Sequence, residues 1–213
     1  MKLIGMLDSP YVRRVAIALQ LMDVRFEHQS LSVFSTFDQF REINPVVKVP
    51  TVVTGDGTVL MDSTLILQYA ETMATPERRL TPSEPAALLR SLRVLGLALA
   101  ASEKSVQIVY ERKLRPDEKR HQPWVDRITL QLLSAFDALE AEQRARPMAL
   151  DRLDHGSIMT AVAWHFAQRM LPDVVAAANY PLLSELSARA EALPAFAAAP
   201  YGDGTYQPND SAD

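Results

Sequence analysis

The chain is written in two hydrophobic periods. Its first third alternates short apolar runs with one-faced helical segments: Lys2 to Met6 reads as a strand, and Ser9-Pro10 opens a helix in which Val12, Val15, Ala16 and Leu19 share a face. Arg25 to Gln29 alternates as a second strand, so strand, helix and strand form a right-handed parallel crossover. Leu31 to Asn44 is less regular and holds a short helix over Phe37 to Ile43. Thr51 to Thr54 and Thr58 to Met61 flank Gly55-Asp56-Gly57, a hairpin signal. Ser63 caps a further helix, with Leu65, Ile66, Tyr69 and Met73 at helical spacing. The predicted order is strand, helix, strand, helix, strand, strand, helix.

Ala74 to Pro85 holds three prolines and a charged pair and reads as an exposed linker. From Ala86 onward the period is helical throughout. Leu88, Leu92, Leu95, Leu99, Val106 and Val109 mark one long helix that stops near Arg115-Pro116. Val125, Ile128, Leu132, Phe136 and Leu139 mark a second, ending before Pro147. A third spans about Ser157 to Met170, and shorter ones lie around Leu182 to Ala192 and Ala195 to Ala198. This half predicts an all-helical bundle, and the Gly-, Pro- and Asp-rich last dozen residues predict a loose tail.

Composition narrows the chemistry. The 213 residues are 48% apolar and 23% charged, ordinary for a globule, with a net charge of -4 and no basic block for a nucleic-acid surface. There is no cysteine, which fits a reducing, cytoplasmic setting and removes protein thiols as nucleophiles, so sulfur chemistry requires a borrowed thiol. No apolar stretch at the amino terminus has signal-peptide length, and the longest later run, Val94 to Ala101, is short of a membrane span. His28, His121, His155 and His165 form no ligand-spaced pair, so no metal is expected. Phosphate-loop, dinucleotide and nucleophile-elbow motifs are missing from the sequence.

Three local motifs carry more. Ser9-Pro10-Tyr11-Val12-Arg13-Arg14-Val15 follows the first strand, Asn44-Pro45-Val46-Val47-Lys48-Val49-Pro50 precedes the third, and Asp62-Ser63 opens the last helix of the first region. Each has a plain structural reading. Ser9 before Pro10 is a good N-cap, Lys48 is a loop lysine, and Asp62-Ser63 is a capping pair. In this order and at these distances, the three together resemble the glutathione transferase superfamily, over nearly the whole chain and most strongly over residues 1 to 75. The likeness is closest to bacterial members with serine at the active-site position.

The resemblance implies an α/β thioredoxin-like domain over 1–77 that binds glutathione as co-substrate, a C-terminal all-α domain over 86–200 that shapes the second-substrate pocket, a tail over 201–213, and a homodimer. It implies that Ser9 is the catalytic residue, donating to the glutathione sulfur at a helix N-terminus that favours a thiolate. Tyr11 is the rival hydroxyl, with packing or lining the second-substrate site as its other roles. The Val49-Pro50 bond is expected to be cis, with the Val49 backbone pairing with the peptide of glutathione. Lys48 faces the glycine carboxylate, Ser63 seats the γ-glutamyl carboxylate, and Asp62 offsets its ammonium with a side chain shorter than the usual Glu or Gln. Tyr110 and Arg112 are candidate edges of the second-substrate pocket, against the reading of a solvated helix end. At Ser157 the family's N-cap box has Thr160 where Asp is usual, which predicts a weakened cap. The implied activity is conjugation of the thiolate to a small electrophile, a detoxification chemistry. The alternatives are glutathione-dependent disulfide reduction without protein cysteine, or a non-catalytic binding module.

Overall fold

The structure, a computed structural model, describes residues 1–207. It divides into two compact units, Met1–Thr81 joined by the chain from Ala192 onward, and Pro82–Glu191. In the first unit the strands β1 (Lys2–Ile4), β2 (Glu27–Gln29), β3 (Thr51–Val53) and β4 (Val59–Met61) alternate with helices α1 (Pro10–Leu21), α2 (Phe37–Ile43) and α3 (Ser63–Glu71) in the order the periods predict. The sheet order is β2-β1-β3-β4, with β1 and β2 parallel and the other pairs antiparallel. Successive strand side chains point to opposite faces, and both Leu3 and Ile4 are buried, so both faces of β1 are covered. Phe40 of α2 packs with Ile4 and Leu31 on one of them. The strands are shorter than the apolar runs because the backbone turns away early: Gly5 takes φ +135° immediately after β1.

Helix α1 is buried from Val12 to Leu19 on every side, and that run includes Arg13 and Arg14. It packs on α3 and on α8 (Pro194–Ala197). Arg13 explains part of this: its Nε donates to the Ala199 carbonyl at 2.8 Å and its guanidinium lies 5.9 Å from the Phe196 ring. The chain from Ala192 therefore belongs with the sheet unit, where the sequence places it at the end of the helical domain. Nor is the tail loose over its described part. Tyr206 stacks on Phe26 with ring centroids 4.6 Å apart, and Gln207 N–H donates to the Ala198 carbonyl at 2.8 Å. Residues 208–213 of that expected tail lie outside the described residues. The expected linker is also partly pinned, since the Glu71 carboxylate accepts the Leu80 and Thr81 amides at 3.0 and 2.9 Å.

The second unit is helical: α4 (Pro85–Lys113), α5 (Gln122–Ala145), α6 (His155–Met170) and α7 (Pro181–Glu191). Helix α4 packs on α5 and α6, and α6 on α7. A Cβ at Gly156 would stand 2.9 Å from the Ser91 carbonyl, so α6 reaches α4 only because this position has none. By length and composition α4 is long and apolar enough to cross a bilayer, which the longest-run reading missed. Here its buried face is bundle core, and its Arg93 pairs with Glu142 of α5 at 2.6 Å. The start of α6 also departs from expectation. Its N-cap is Asp154, whose carboxylate accepts the Ser157 amide at 2.7 Å while the Ser157 hydroxyl accepts the Asp154 amide at 2.9 Å. The box is intact but lies three residues upstream of the Ser157–Thr160 pair, and Thr160 instead donates to the Gly156 carbonyl at 2.8 Å.

Candidate active site

Ser9 is the N-cap of α1, with extended backbone (φ -73°, ψ 123°) and Pro10 at the first helical position. Its Oγ accepts the Val12 amide at 3.5 Å, the outer limit of such a bond, and the first turn of α1 carries no acidic side chain. The helix therefore presents an undercapped N-terminus beside a hydroxyl, with Asp8 immediately before it in the chain, and a helix start of this kind favours an anion.

The second motif is a turn built on Asn44. Its amide nitrogen donates to Thr51 Oγ1 at 2.8 Å and its Oδ1 accepts the Val46 amide at 3.0 Å, while Thr51 Oγ1 donates to the Lys48 carbonyl at 2.7 Å. These bonds clamp both ends of the segment from Pro45 to Pro50. Within it Val47 adopts φ 51° and the Val49-Pro50 bond is cis, as expected. Among the described residues neither the amide nor the carbonyl of Val49 has a hydrogen-bond partner. Lys48 is exposed, Val49 half-buried and Pro50 buried. A Cβ on Gly5 would lie 2.6 Å from Val12 Cγ2 and 2.9 Å from Val49 Cγ1. Strand end, first turn of α1 and cis turn thus meet at a glycine.

The third motif differs in detail from the sequence reading. Asp62, at φ 70°, is the N-cap of α3, and its Oδ1 accepts the Thr64 amide at 2.8 Å. Ser63 is the first helical residue, not the cap. Its buried hydroxyl accepts from Arg14 Nη1 at 3.3 Å, and Thr64 Oγ1 lies 3.5 Å from the same nitrogen. Arg14 is only 1% exposed, and burial pulls its pKa down to about 10, opposed by the charge of Asp62 and by Tyr11. A desolvated guanidinium thus stands directly behind the start of α3. Arg14 stands within the first motif, yet the sequence alone assigns it no role. The available signal was a pair of arginines, Arg13-Arg14, inside the apolar face of a helix.

Ser9, Tyr11, Lys48, Val49, Pro50, Asp62 and Ser63 all belong to the first unit, linked through Gly5, Val12 and Arg14. Tyr110 and Arg112 belong to the second. Arg112 makes a bidentate pair with Asp173 at 3.0 and 2.8 Å, which holds the Asp173 carboxyl below its usual pKa. Its guanidinium is committed within the helical unit.

A four-stranded mixed sheet with a cis-proline turn beside an undercapped helix, followed in the chain by a helical unit, defines a thioredoxin-like domain of the kind that couples to an all-helical partner. Comparison with known proteins shows which family this domain resembles. Residues 3–78 match the glutathione S-transferase N-terminal domain. The GST-like protein YibF of Escherichia coli is 28% identical over 163 residues, 76% of this chain and 80% of that protein. A glutathione transferase family member from Pseudomonas fluorescens, solved with bound glutathione, superimposes with a TM-score of 0.81 at 27% identity, over 93% of this chain and 97% of the other. A glutathione S-transferase from Methylobacterium radiotolerans, in complex with glutathione sulfonate, gives 0.84 at 26% identity, over 100% and 97%. Residues 3–78 thus carry a glutathione S-transferase N-terminal domain, and nearly the whole chain is similar in fold to solved glutathione transferases.

Proposed function

We propose that this protein binds reduced glutathione along the first unit and transfers its thiolate to a small electrophile. The observation that carries this reading is the Ser9 hydroxyl. It sits at a helix N-terminus whose first turn carries no acidic side chain, is barely engaged by its own helix, and belongs to the same small unit as the Val49 backbone, which has no hydrogen-bond partner among the described residues. The relatives solved with glutathione and glutathione sulfonate support the choice of ligand.

In this mechanism Ser9 donates to the sulfur and the α1 N-terminus stabilises its negative charge, so the bound thiol loses its proton near neutral pH. The amide and carbonyl of Val49 pair with the peptide backbone of the ligand as an added strand does, with Pro50 fixing the turn. Lys48 meets the glycine carboxylate. The α3 N-terminus and Ser63, backed by Arg14, seat the γ-glutamyl carboxylate, and Asp62 offsets the ammonium. Tyr11 borders the electrophile. The thiolate forms a new S–C bond, the leaving group departs with its electron pair, and the thiol proton passes to solvent. The chain's part is position and charge.

Titration calorimetry with reduced glutathione tests binding, and thiolate absorbance of the complex tests activation. The bound thiol should ionise well below the ordinary value of about 8.5. Serine is not the activating group if the Ser9→Ala complex keeps both the same ionisation and the same turnover. Disulfide reduction is the second chemistry open to a cysteine-free member, and turnover of an aryl halide against a small disulfide separates the two.

The same reading includes a homodimer. Val59 and Met61 on β4 and Leu65, Tyr69 and Met73 on and after α3 are exposed apolar side chains, the last three at helical spacing. Leu89, Leu92 and Leu130 are exposed on the helical unit. Light scattering should give twice the chain mass, and Leu65→Glu with Tyr69→Glu should give the single mass.

A further inference from the structure

His28 is the one histidine whose two ring nitrogens both close a bond inside the first unit among the described residues, and nothing in the proposed mechanism uses it. Its Nδ1 accepts the Tyr206 amide at 2.9 Å, so Nε2 carries the ring proton and donates to the Gly5 carbonyl at 2.8 Å. Gly5 is the residue whose Cα lies against Val12 and Val49. With φ +135° and no side chain, its peptide is oriented by its bonds alone: the amide to the Gln29 carbonyl at 3.1 Å and the carbonyl to His28. On the other side, the segment carrying Tyr206 runs beside the sheet edge, with the Ser30 hydroxyl donating to the Asp203 carbonyl at 2.7 Å and Tyr206 stacked on Phe26.

We propose that His28 is a positioning residue that ties the C-terminal segment 201–207 through Gly5 to the Val49 turn, so that docking of this segment tightens the glutathione site and acid loosens it. The inference rests on the proposed glutathione reading for its last link only.

Protonating Nδ1 would replace an acceptor by a donor facing the Tyr206 N–H, and the bond would be lost. The titratable groups on the surrounding elements are Lys2, Arg25 and Glu27, Asp8 after β1, Tyr11, Arg13 and Arg14 on α1, and Tyr201, Asp203 and Tyr206 on the segment. Lys2 and Glu27 face each other at 3.8 Å, and Arg13 donates to Ala199. None of these charges shifts the imidazole. Burial lowers its pKa from the ordinary 6.5, opposed by the bond to Gly5. A lowered pKa in the docked state means that the undocked state binds more protons as the pH falls through 6.5 toward the lowered value. Docking is therefore complete above pH 6.5 and weakens as the pH falls beneath it.

The test uses the full chain and two readouts. In the ligand-free protein, hydrogen exchange and amide shifts should show the Tyr206 amide losing protection and the Val49 amide moving together between pH 7.0 and 5.5. Over the same interval glutathione affinity should fall about fivefold, the lower end of ordinary coupling. Tyr206→Pro removes the donor N–H without touching the imidazole. It should bind glutathione about fivefold more weakly at pH 7.0 and show no further fall in acid, as should His28→Ala, while Tyr206→Phe behaves as the parent. The proposal is overturned if Tyr206 stays protected in acid, or if its protection is lost while the Val49 amide does not move. Should the parent protein bind no glutathione, the functional reading fails and the two amides still decide the link.

Discussion

Helix α6 begins with two complementary bonds of 2.7 and 2.9 Å between Asp154 and Ser157, so the Ser157 amide and the amide of the cap are both satisfied within the chain. Helix α1 begins with Ser9 and one contact of 3.5 Å. Both starts use a short polar side chain that is good at capping. The first is closed on its own helix and contributes to stability. The second leaves its hydroxyl barely engaged by its own helix, and in the proposed mechanism that hydroxyl meets the ligand sulfur. On the proposed reading, cap geometry rather than cap residue type separates a structural helix start from a functional one.

The sharpest way to break this contrast is Ser9→Ala. Loss of one preorganised donor to a developing charge typically costs about 100-fold in turnover. Because the existing capping bond is so long, the stability loss should stay near the bottom of the capping range, about 0.5 kcal/mol. Turnover of an aryl halide and a melting curve on the same sample check both halves. A large drop in melting temperature with turnover retained would make Ser9 an ordinary cap.

Arg14→Met comes next. Replacing a buried charge by an apolar side chain of similar length is often neutral for stability, and here the guanidinium holds only bonds of 3.3 and 3.5 Å to α3. Stability should change by about 1 kcal/mol or less, while glutathione affinity should weaken about tenfold because the carboxylate seat loses its backing charge. Calorimetry and denaturant unfolding together decide. A stability collapse with unchanged affinity would assign Arg14 to the core alone.

Asp154→Ala inverts the Ser9 result. It removes a closed cap at a cost of about 1 kcal/mol, which lowers the melting temperature by roughly 2–4 °C in a chain of this size. Affinity for glutathione should be unchanged. A matching loss of affinity would show that the two helix starts do not differ in kind.

Asp154 also shows where the sequence stops being readable. The element order follows from period alone, since alternation and helical spacing are local properties and each run here is long enough to show one. The three site motifs are legible for the same reason, each being a contiguous string, and the cis bond at Pro50 came with the family likeness. What is not legible depends on partners distant in the chain. The family likeness points to Ser157 as the cap of α6, whereas the chain uses Asp154, an equally cap-competent side chain three residues earlier, and only the backbone angle at the helix start chooses between them. Ser63 was taken as a cap for the same reason. Arg14 reads as surface charge until Ser63, 49 residues on, is placed over it. The segment at Tyr206 reads as a polar tail because its bonding partner, His28, is 178 residues away and contributes one ring nitrogen. No composition rule finds such a pair.

The smallest expected effect tests whether the rim of the site obeys the same logic as its floor. Lys48 is exposed, its backbone carbonyl is held by Thr51, and its side chain forms no ion pair among the described residues. An exposed charge acting on a carboxylate through water is weak and screened within about 8 Å at physiological salt. Lys48→Ala should therefore weaken glutathione binding only about threefold at low ionic strength, and the difference should vanish by about 0.5 M salt. Lys48→Arg should retain the affinity. Arg14→Met should keep its deficit across the same salt series, because a buried guanidinium is not reached by counterions. If both variants respond to salt alike, Arg14 and Lys48 act on the ligand from equally wet positions, and the distinction between a buried carboxylate seat and an exposed rim charge fails.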